Sequence, residues 1–191
     1  TNHAISFTTG STYLLNPNMV NAFRLGYNRT SVVRSGFKFF EPADIGINMY
    51  SYSPKCMNLG VTGGFSIGGQ GCTGASYRTN FYHLSNDLSI THGTHQFSFG
   101  ETLGQVRTTV HATVSTTGNF AHNGQVTGLG MADFLIGKPS SLTQGDSNKI
   151  YAKANRMSLY AQDAWQVTPR VTFNYGLRWA PVLPIQDIRK P

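Results

Sequence analysis

Charge is what this chain of 191 residues has least of: Asp, Glu, Lys and Arg together make 12%, about half the roughly 25% of an ordinary soluble domain. Long hydrophobic runs are missing too. No window approaches the roughly 18 uninterrupted apolar residues of a membrane helix, so helical spanning is excluded. A low charge combined with 12% aromatic residues is equally wrong for a disordered chain. Acidic residues number 8 against 15 basic ones, a net charge of +7. That excess permits an anionic partner, but the Lys and Arg are scattered with no run of four, so no nucleic-acid face is expected. The chain opens Thr1-Asn2-His3 and closes Arg189-Lys190-Pro191, without an initiator Met, a basic-then-apolar leader or a lipidation motif. Such ends fit a mature product and a fragment equally well. What remains is a β-protein, either soluble or a membrane barrel, whose signal is weak per strand.

What is present is alternation. Val171, Phe173, Tyr175, Leu177 and Trp179 leave one face of a strand, and Thr172, Asn174, Gly176, Arg178 and Ala180 leave the other. Thr168-Pro169-Arg170 upstream is a turn signal. Residues 3–15 place Ile5, Phe7 and Tyr13 on one face. Asn16-Pro17-Asn18 turns the chain, and Met19 to Val33 returns with Met19, Phe23, Leu25 and Tyr27 opposite Arg24, Gly26 and Asn28. Tyr77 to Thr91 carries Tyr82, Leu84, Leu88 and Ile90 against His83, Ser85, Asp87 and Ser89. After His92-Gly93-Thr94, His95 to Val106 returns with Phe97, Phe99 and Leu103 against Gln96, Ser98, Gly100 and Thr102. The glycines of FRLGY, FSFGE and FNYGL (Gly26, Gly100 and Gly176) are 74 and 76 positions apart, so the hairpins form a weak repeat.

Between hairpins the rhythm breaks. Residues 35–78, with Pro42, Pro54 and the glycines Gly60, Gly63, Gly64, Gly68, Gly69, Gly71 and Gly74, read as one long loop. Residues 107–149 read as another, with an irregular strand around Val110 to Val114 and a short helix over Met131–Ile136 stopped by Gly137 and Pro139. Loops of this length are usually functional or mobile. Ile150 to Gln166 is a long strand whose register is not clean. Asp163 falls among Met157, Leu159, Ala161, Trp165 and Val167 while Tyr160 falls opposite, and a β-bulge near Asp163 would resolve it.

Short connections on one side and long ones on the other are the asymmetry of outer-membrane barrels. The apolar faces, carrying Phe23, Tyr27, Phe97, Phe99, Phe173, Tyr175 and Trp179, suit lipid and its interfacial girdle. The opposite faces, carrying Arg24, Asn28, His83, Asp87, Asn174 and Arg178, suit a wet lumen. The expected fold is therefore all-β: an antiparallel up-and-down meander of about six long strands forming part of a large transmembrane barrel, with one short helix in an extracellular loop.

Chemistry-bearing constellations are sparse. Cys56 and Cys72, 16 apart in the first long loop, suit a disulfide in an oxidising compartment or two free thiols whose geometry forbids one. His83, His92, His95, His111 and His122 show no metal-binding spacing, so no metal is expected. Asp87 and Asp163, each five residues before a turn, are expected to be equivalent lumen or interface residues of repeated hairpins rather than a catalytic pair. The glycine run lacks GK[ST] and is either a ligand-contacting surface loop or a flexible connection. Arg24 and Arg178 either contact a plug or an anionic solute, or bridge lumen carboxylates such as Asp87. No catalytic residue and no cofactor is expected.

NPNMVNAFRLGYNR (16–29), GVTGGFSIGG (60–69), LSNDLSITHGTHQFSFG (84–100), GMADFLIGKPSSLTQG (130–145) and SLYAQDAWQVTPRVTFNYGLRWAPVLP (158–184) together resemble the Oar-like TonB-dependent receptors. The resemblance covers most of the chain, in the family's order. It implies a portion of the wall of a barrel of about 22 strands closed around a plug, in the bacterial outer membrane, that takes up an unidentified solute. Its partners would be outer-membrane lipid, the remainder of the barrel, the plug, and an energy-coupling inner-membrane complex that grips a segment ahead of the plug. Neither plug nor coupling segment is recognisable in this sequence. Six strands are too few for a barrel, whose minimum is about eight, and two unpaired edges are prohibitive in hydrocarbon, so the stretch alone is not expected to transport. The alternatives are a secreted β-rich adhesion or carbohydrate-binding module, in which a second sheet of the same chain buries Phe173, Tyr175 and Trp179, or a smaller barrel built from several such chains.

Overall fold

The computed structural model describes residues 1–68, 72–113 and 116–189. Gly69 and Gly71 of the glycine run, Val114 of the expected irregular strand, and the terminal Lys190 and Pro191 lie outside them. Six long strands form an antiparallel meander in the order β1 (Asn2–Asn16), β2 (Met19–Arg34), β5 (Ala75–His92), β6 (His95–Ala112), β9 (Asn148–Thr168) and β10 (Val171–Trp179). Each hairpin closes where turn chemistry demands it. Pro17 cannot donate to a ladder, Gly93 adopts a positive φ of 60° that residues with a Cβ resist, and Pro169 ends β9.

Antiparallel pairing of β9 with β10 is regular from Leu159↔Trp179 to Gln166↔Thr172, and Tyr175 faces Asp163 within it. The register shifts only between Val171 and Thr172, where Val171 pairs with Thr168. The bulge expected near Asp163 therefore sits at Val167, beside the turn. Asp163 needs no correction of register because it finds partners on the aromatic face, as described below. Beyond Trp179, Pro181 and Pro184 interrupt the strand, since neither has an N–H. The chain then rejoins β9 as β11 (Gln186–Asp187), opposite Lys153 and Ala152.

By its internal contacts the chain divides into two compact units. The first comprises Thr1–Asn2, Val32–Tyr77 and Thr109–Ile150; the second comprises His3–Ser31, Arg78–Thr108 and Tyr151–Pro191. The first holds most of both stretches expected as loops, and it has a core of its own. Its second sheet runs β4 (Ser66–Ile67), β3 (Asn58–Val61), β7 (Asn119–His122), β8 (Ser141–Thr143). The β3–β7 pair is parallel and joins one long connection to the other, with Leu59 beside Phe120. Met57, Leu59, Val61 and Phe120 form its buried core, against which Phe39, Phe40, Ile47, Met49, Ile67 and Phe134 pack. The helix α1 (Gly130–Leu135) lies one residue from its expected position and is followed by Gly137 at φ 66°.

In the second unit the repeated glycines make room. A Cβ at Gly100 would overlap the ring of Tyr160, which crosses above it, and would come within 2.6 Å of Asp87 Oδ1. Gly100→Ala is therefore expected to destabilise the sheet by about 1–3 kcal/mol through overpacking. The loss should largely vanish in a Tyr160→Ala background. Urea unfolding midpoints of the four proteins in detergent measure both effects; additive losses would contradict the overlap.

Candidate functional site

On one face of the second unit, aromatic rings succeed one another across strands. Tyr27 packs on Tyr82 with centroids 5.1 Å apart and donates its hydroxyl to Asn80 Oδ1 at 3.0 Å. Phe97 stacks on His95 and on Phe99, and His95 stacks on Trp165 at 5.4 Å. Phe173 pairs with Trp165, Leu177 with Ala161, and Trp179 with Leu159. Phe23 and Leu25 share their face of β2 with Tyr27 by alternation. Within this apolar surface sits one enclosed carboxylate. Asp163, 5% exposed, accepts from Tyr175 Oη at 2.8 Å and meets His95 Nδ1 at 2.7 Å, both at Oδ2. These bonds hold a charged group on a face that would otherwise reject it.

The other face is a polar ladder. Arg24 Nη1 donates to Asp87 Oδ2 at 3.0 Å, and Tyr160 Oη donates to Asp87 Oδ1 at 2.7 Å. Ser6 donates to Asn28 at 2.6 Å, Arg178 Nη2 to Ser158 Oγ at 3.1 Å, and His83 lies beside Gly26. Asn174 shares this face, opposite Ala164. Within the chain Arg24 bridges the Asp87 carboxylate and Arg178 bonds a serine. Asp87 and Asp163 are not equivalent, contrary to expectation: they lie on opposite faces of the sheet. Tyr160 and Asp163 are three residues apart on one strand, so a partner of the first is across the sheet from a partner of the second.

In the first unit, Cys56 and Cys72 are joined by a buried disulfide with Cα atoms 5.5 Å apart. Beside it Lys55, at φ 57°, donates to Asp44 at 2.7 Å, and this bond holds the Asp44 carboxyl below its ordinary range. A cavity of about 480 Å³ opens among Phe40, Ile47, Met57, Phe120, His122 and Phe134, with the exposed Ile45 also on its lining. His122 is 5% exposed, and its Nδ1 is buried without a hydrogen-bond partner. Phe134 meets its ring edge-on at 5.5 Å. Phe134 is fixed by its neighbour: Asp133, fully buried, accepts from Thr127 Oγ1 at 2.6 Å, Thr127 N at 2.8 Å and Val126 N at 3.2 Å.

Two faces of opposite character, on a meander whose outermost strands β1 and β10 each have one neighbour, are what a barrel wall requires. A family model described as the outer membrane beta barrel domain matches residues 1–190. The chain belongs to this family. It is an outer-membrane barrel protein of the bacterial envelope, its long strands are those of the barrel, and membrane lipid is its surrounding. Among curated proteins and solved structures, none matches the chain. The adhesion or carbohydrate-binding alternative required Phe173, Tyr175 and Trp179 to be covered by a second sheet, but in this barrel protein they are 59%, 57% and 52% exposed.

The histidines scatter. His83 and His95 lie on opposite faces of the sheet and His122 lines the cavity; among the described residues no group of three possible ligands could hold a metal. Sequence reasoning placed Tyr82 and Trp165 on the apolar faces and Tyr160 opposite, but it missed the His95–Asp163–Tyr175 cluster, the bond from Tyr160 to Asp87 and the entire cavity. The 16-residue Cys spacing hinted at order in the first loop, but nothing local announced that β3 would pair with a strand some sixty residues away.

The Asp133 cradle has a pH signature. Chiefly through the Thr127 hydroxyl and against the opposing effect of burial, its carboxyl is held below the ordinary value of 3.8. A depressed folded pKa contributes stability above the unfolded pKa, and that contribution is lost as pH falls through the folded value. Amides of Val126 and Thr127 should thus stay protected at neutral pH and lose protection only in acid, below about pH 4. Asp133→Asn should expose them roughly tenfold more at neutral pH. Hydrogen exchange, corrected for intrinsic rates, reads this; equal protection in both proteins would contradict it.

Proposed function

We propose that this chain is part of the wall of a TonB-dependent receptor of the Oar-like kind, a protein that binds and takes up a solute and is not an enzyme. The observation that carries the reading is the division of labour along the chain. Tight turns alternate with long connections, and those connections fold around a core and a cavity. A plain structural barrel has no use for such a cavity, whereas a receptor needs a binding surface at its outer mouth. The five sequence blocks shared with that kind of receptor support the same reading. In it, Phe23, Tyr27, Phe97, Phe99, Phe173, Tyr175 and Trp179 face lipid and its boundary. Arg24, Asn28, His83, Asp87, Asn174 and Arg178 face the lumen, where the Arg24–Asp87–Tyr160 ladder lies toward the plug. The tight turns are periplasmic and the folded connections extracellular. Plug and inner-membrane coupling complex complete the machine.

The test compares spent media. In the native bacterium, a strain lacking the gene that encodes this chain and a strain lacking the energy-coupling protein are grown beside the parent. Untargeted mass spectrometry should find the same solute left behind by both mutants and consumed by the parent. A receptor mutant whose medium matches the parent's in every solute the coupling mutant leaves behind would contradict the proposal.

A further inference from the structure

We propose that the aromatic face of β2, β5, β6 and β9 holds one lipid whose headgroup carries two phosphate monoesters, with an acyl chain in an apolar groove beside them. These four strands are neighbours in that order, and contacts between their side chains set the rows. Tyr27 packs on Tyr82, and Gln105 Nε2 donates to Asn155 Oδ1 at 3.0 Å, which makes one row of rings and amides. Two residues nearer the tight turns, alternation places Leu25, Leu84, Leu103 and Met157 on the same face. With Tyr82 and Leu183 they line a groove of about 370 Å³. Two residues the other way stand Arg29, Asn80, Arg107 and Lys153, with Arg78 a further step along β5. At about 3.4 Å per residue, the face passes from apolar groove through amides to cations over roughly 14 Å. Acyl chain, linkage and phosphate follow one another in the same order in a lipid.

Among the described residues no carboxylate neutralises these cations. Arg24, Lys55, His95 and Arg189 each have an acidic partner, whereas Arg29, Arg78, Arg107 and Lys153 have none. Stepping outward from the Gln105–Asn155 contact puts Arg107 opposite Lys153, and like charges so placed destabilise a sheet. An anion between them removes that cost. Arg107 is also held ready for one. Its guanidinium carbon lies 6.0 Å from the centre of the Tyr82 ring, and its Nε donates to Gln105 Oε1 at 2.7 Å. These neutral partners fix the side chain and leave the Nη fork for phosphate oxygens. Charge then selects the headgroup: a phosphodiester brings one negative charge, but two phosphate monoesters bring about −3 to −4, which matches four cations. The groove selects a lipid over a soluble phosphate, which has no apolar part to fill it. That this face meets lipid, and that its cationic end is extracellular, belongs to the uptake reading, on which the inference rests; the lipid is then one of the outer leaflet.

The test uses the whole barrel protein, stripped of lipid in detergent, with native mass spectrometry to count the lipids it retains. Diphosphoryl lipid A, which carries two phosphate monoesters, should bind at least tenfold more tightly than monophosphoryl lipid A or phosphatidylglycerol. Arg107→Gln combined with Lys153→Gln should weaken diphosphoryl lipid A at least tenfold. In lipid-free detergent the same double variant should melt no lower than the parent, because a like-charge contact has been removed. Arg29→Gln combined with Arg78→Gln is an independent pair with the same expected loss, and it decides should the first pair not fold. Met157→Trp fills the groove without changing charge and should also weaken binding. Equal retention of phosphatidylglycerol and diphosphoryl lipid A, displacement by equimolar inorganic phosphate, or binding indifferent to the double substitutions overturns the inference. No uptake enters this measurement. Failure here beside differing spent media would remove the lipid site alone, and success beside matching spent media would remove the uptake reading alone.

Discussion

Inside a bilayer every backbone N–H and C=O must find its partner in the protein, because hydrocarbon offers none. That constraint governs the long meander. It forces strands of 15 to 21 residues in β1, β2, β5, β6 and β9 to pair along their length, and it leaves side chains as the only means of distinguishing two environments. Alternation then does the sorting: odd residues of β10 present Phe173, Tyr175, Leu177 and Trp179, while even residues present Asn174 and Arg178. Low charge follows from the same cause, since the lipid-facing half of each strand tolerates few ions.

The two faces solve opposite problems. On the polar face, water is available and the Arg24–Asp87 pair is partly exposed, so it contributes little to stability by itself. Its role is positional, holding Tyr160 across Gly100. On the aromatic face, the buried carboxylate of Asp163 is tolerated because His95 and Tyr175 converge on it and the rings of Phe97 and Trp165 flank the imidazole. The cluster also links β6, β9 and β10 side by side, near the Pro169 turn, where an interfacial girdle can accept a polar group.

The barrel strands were legible because period-two patterning is local, and the turns because Pro17, Gly93 and Pro169 carry their own chemistry. The helix at α1 was legible from Gly137 and Pro139. Asp163 misled because sequence alone cannot show that His95, some seventy residues away, would satisfy it. The real bulge at Val167 has no residue signature. The long connections misled more deeply: their strands are two to four residues long, and the pairing of β3 with β7 is parallel and non-local, so Leu59 and Phe120 meet only in three dimensions. With that core invisible, the cavity and the orphaned nitrogen of His122 were invisible too.

The central claim is that the aromatic face meets lipid. The chain's two tryptophans, Trp165 and Trp179, both lie on it, so their fluorescence reports on that face alone. In vesicles reconstituted with the whole barrel protein, any tryptophan outside this chain replaced by Phe, acyl-chain-brominated phospholipid should quench both tryptophans strongly while aqueous acrylamide reaches them little. Efficient quenching by acrylamide with indifference to the brominated lipid would place that face in water and contradict the account.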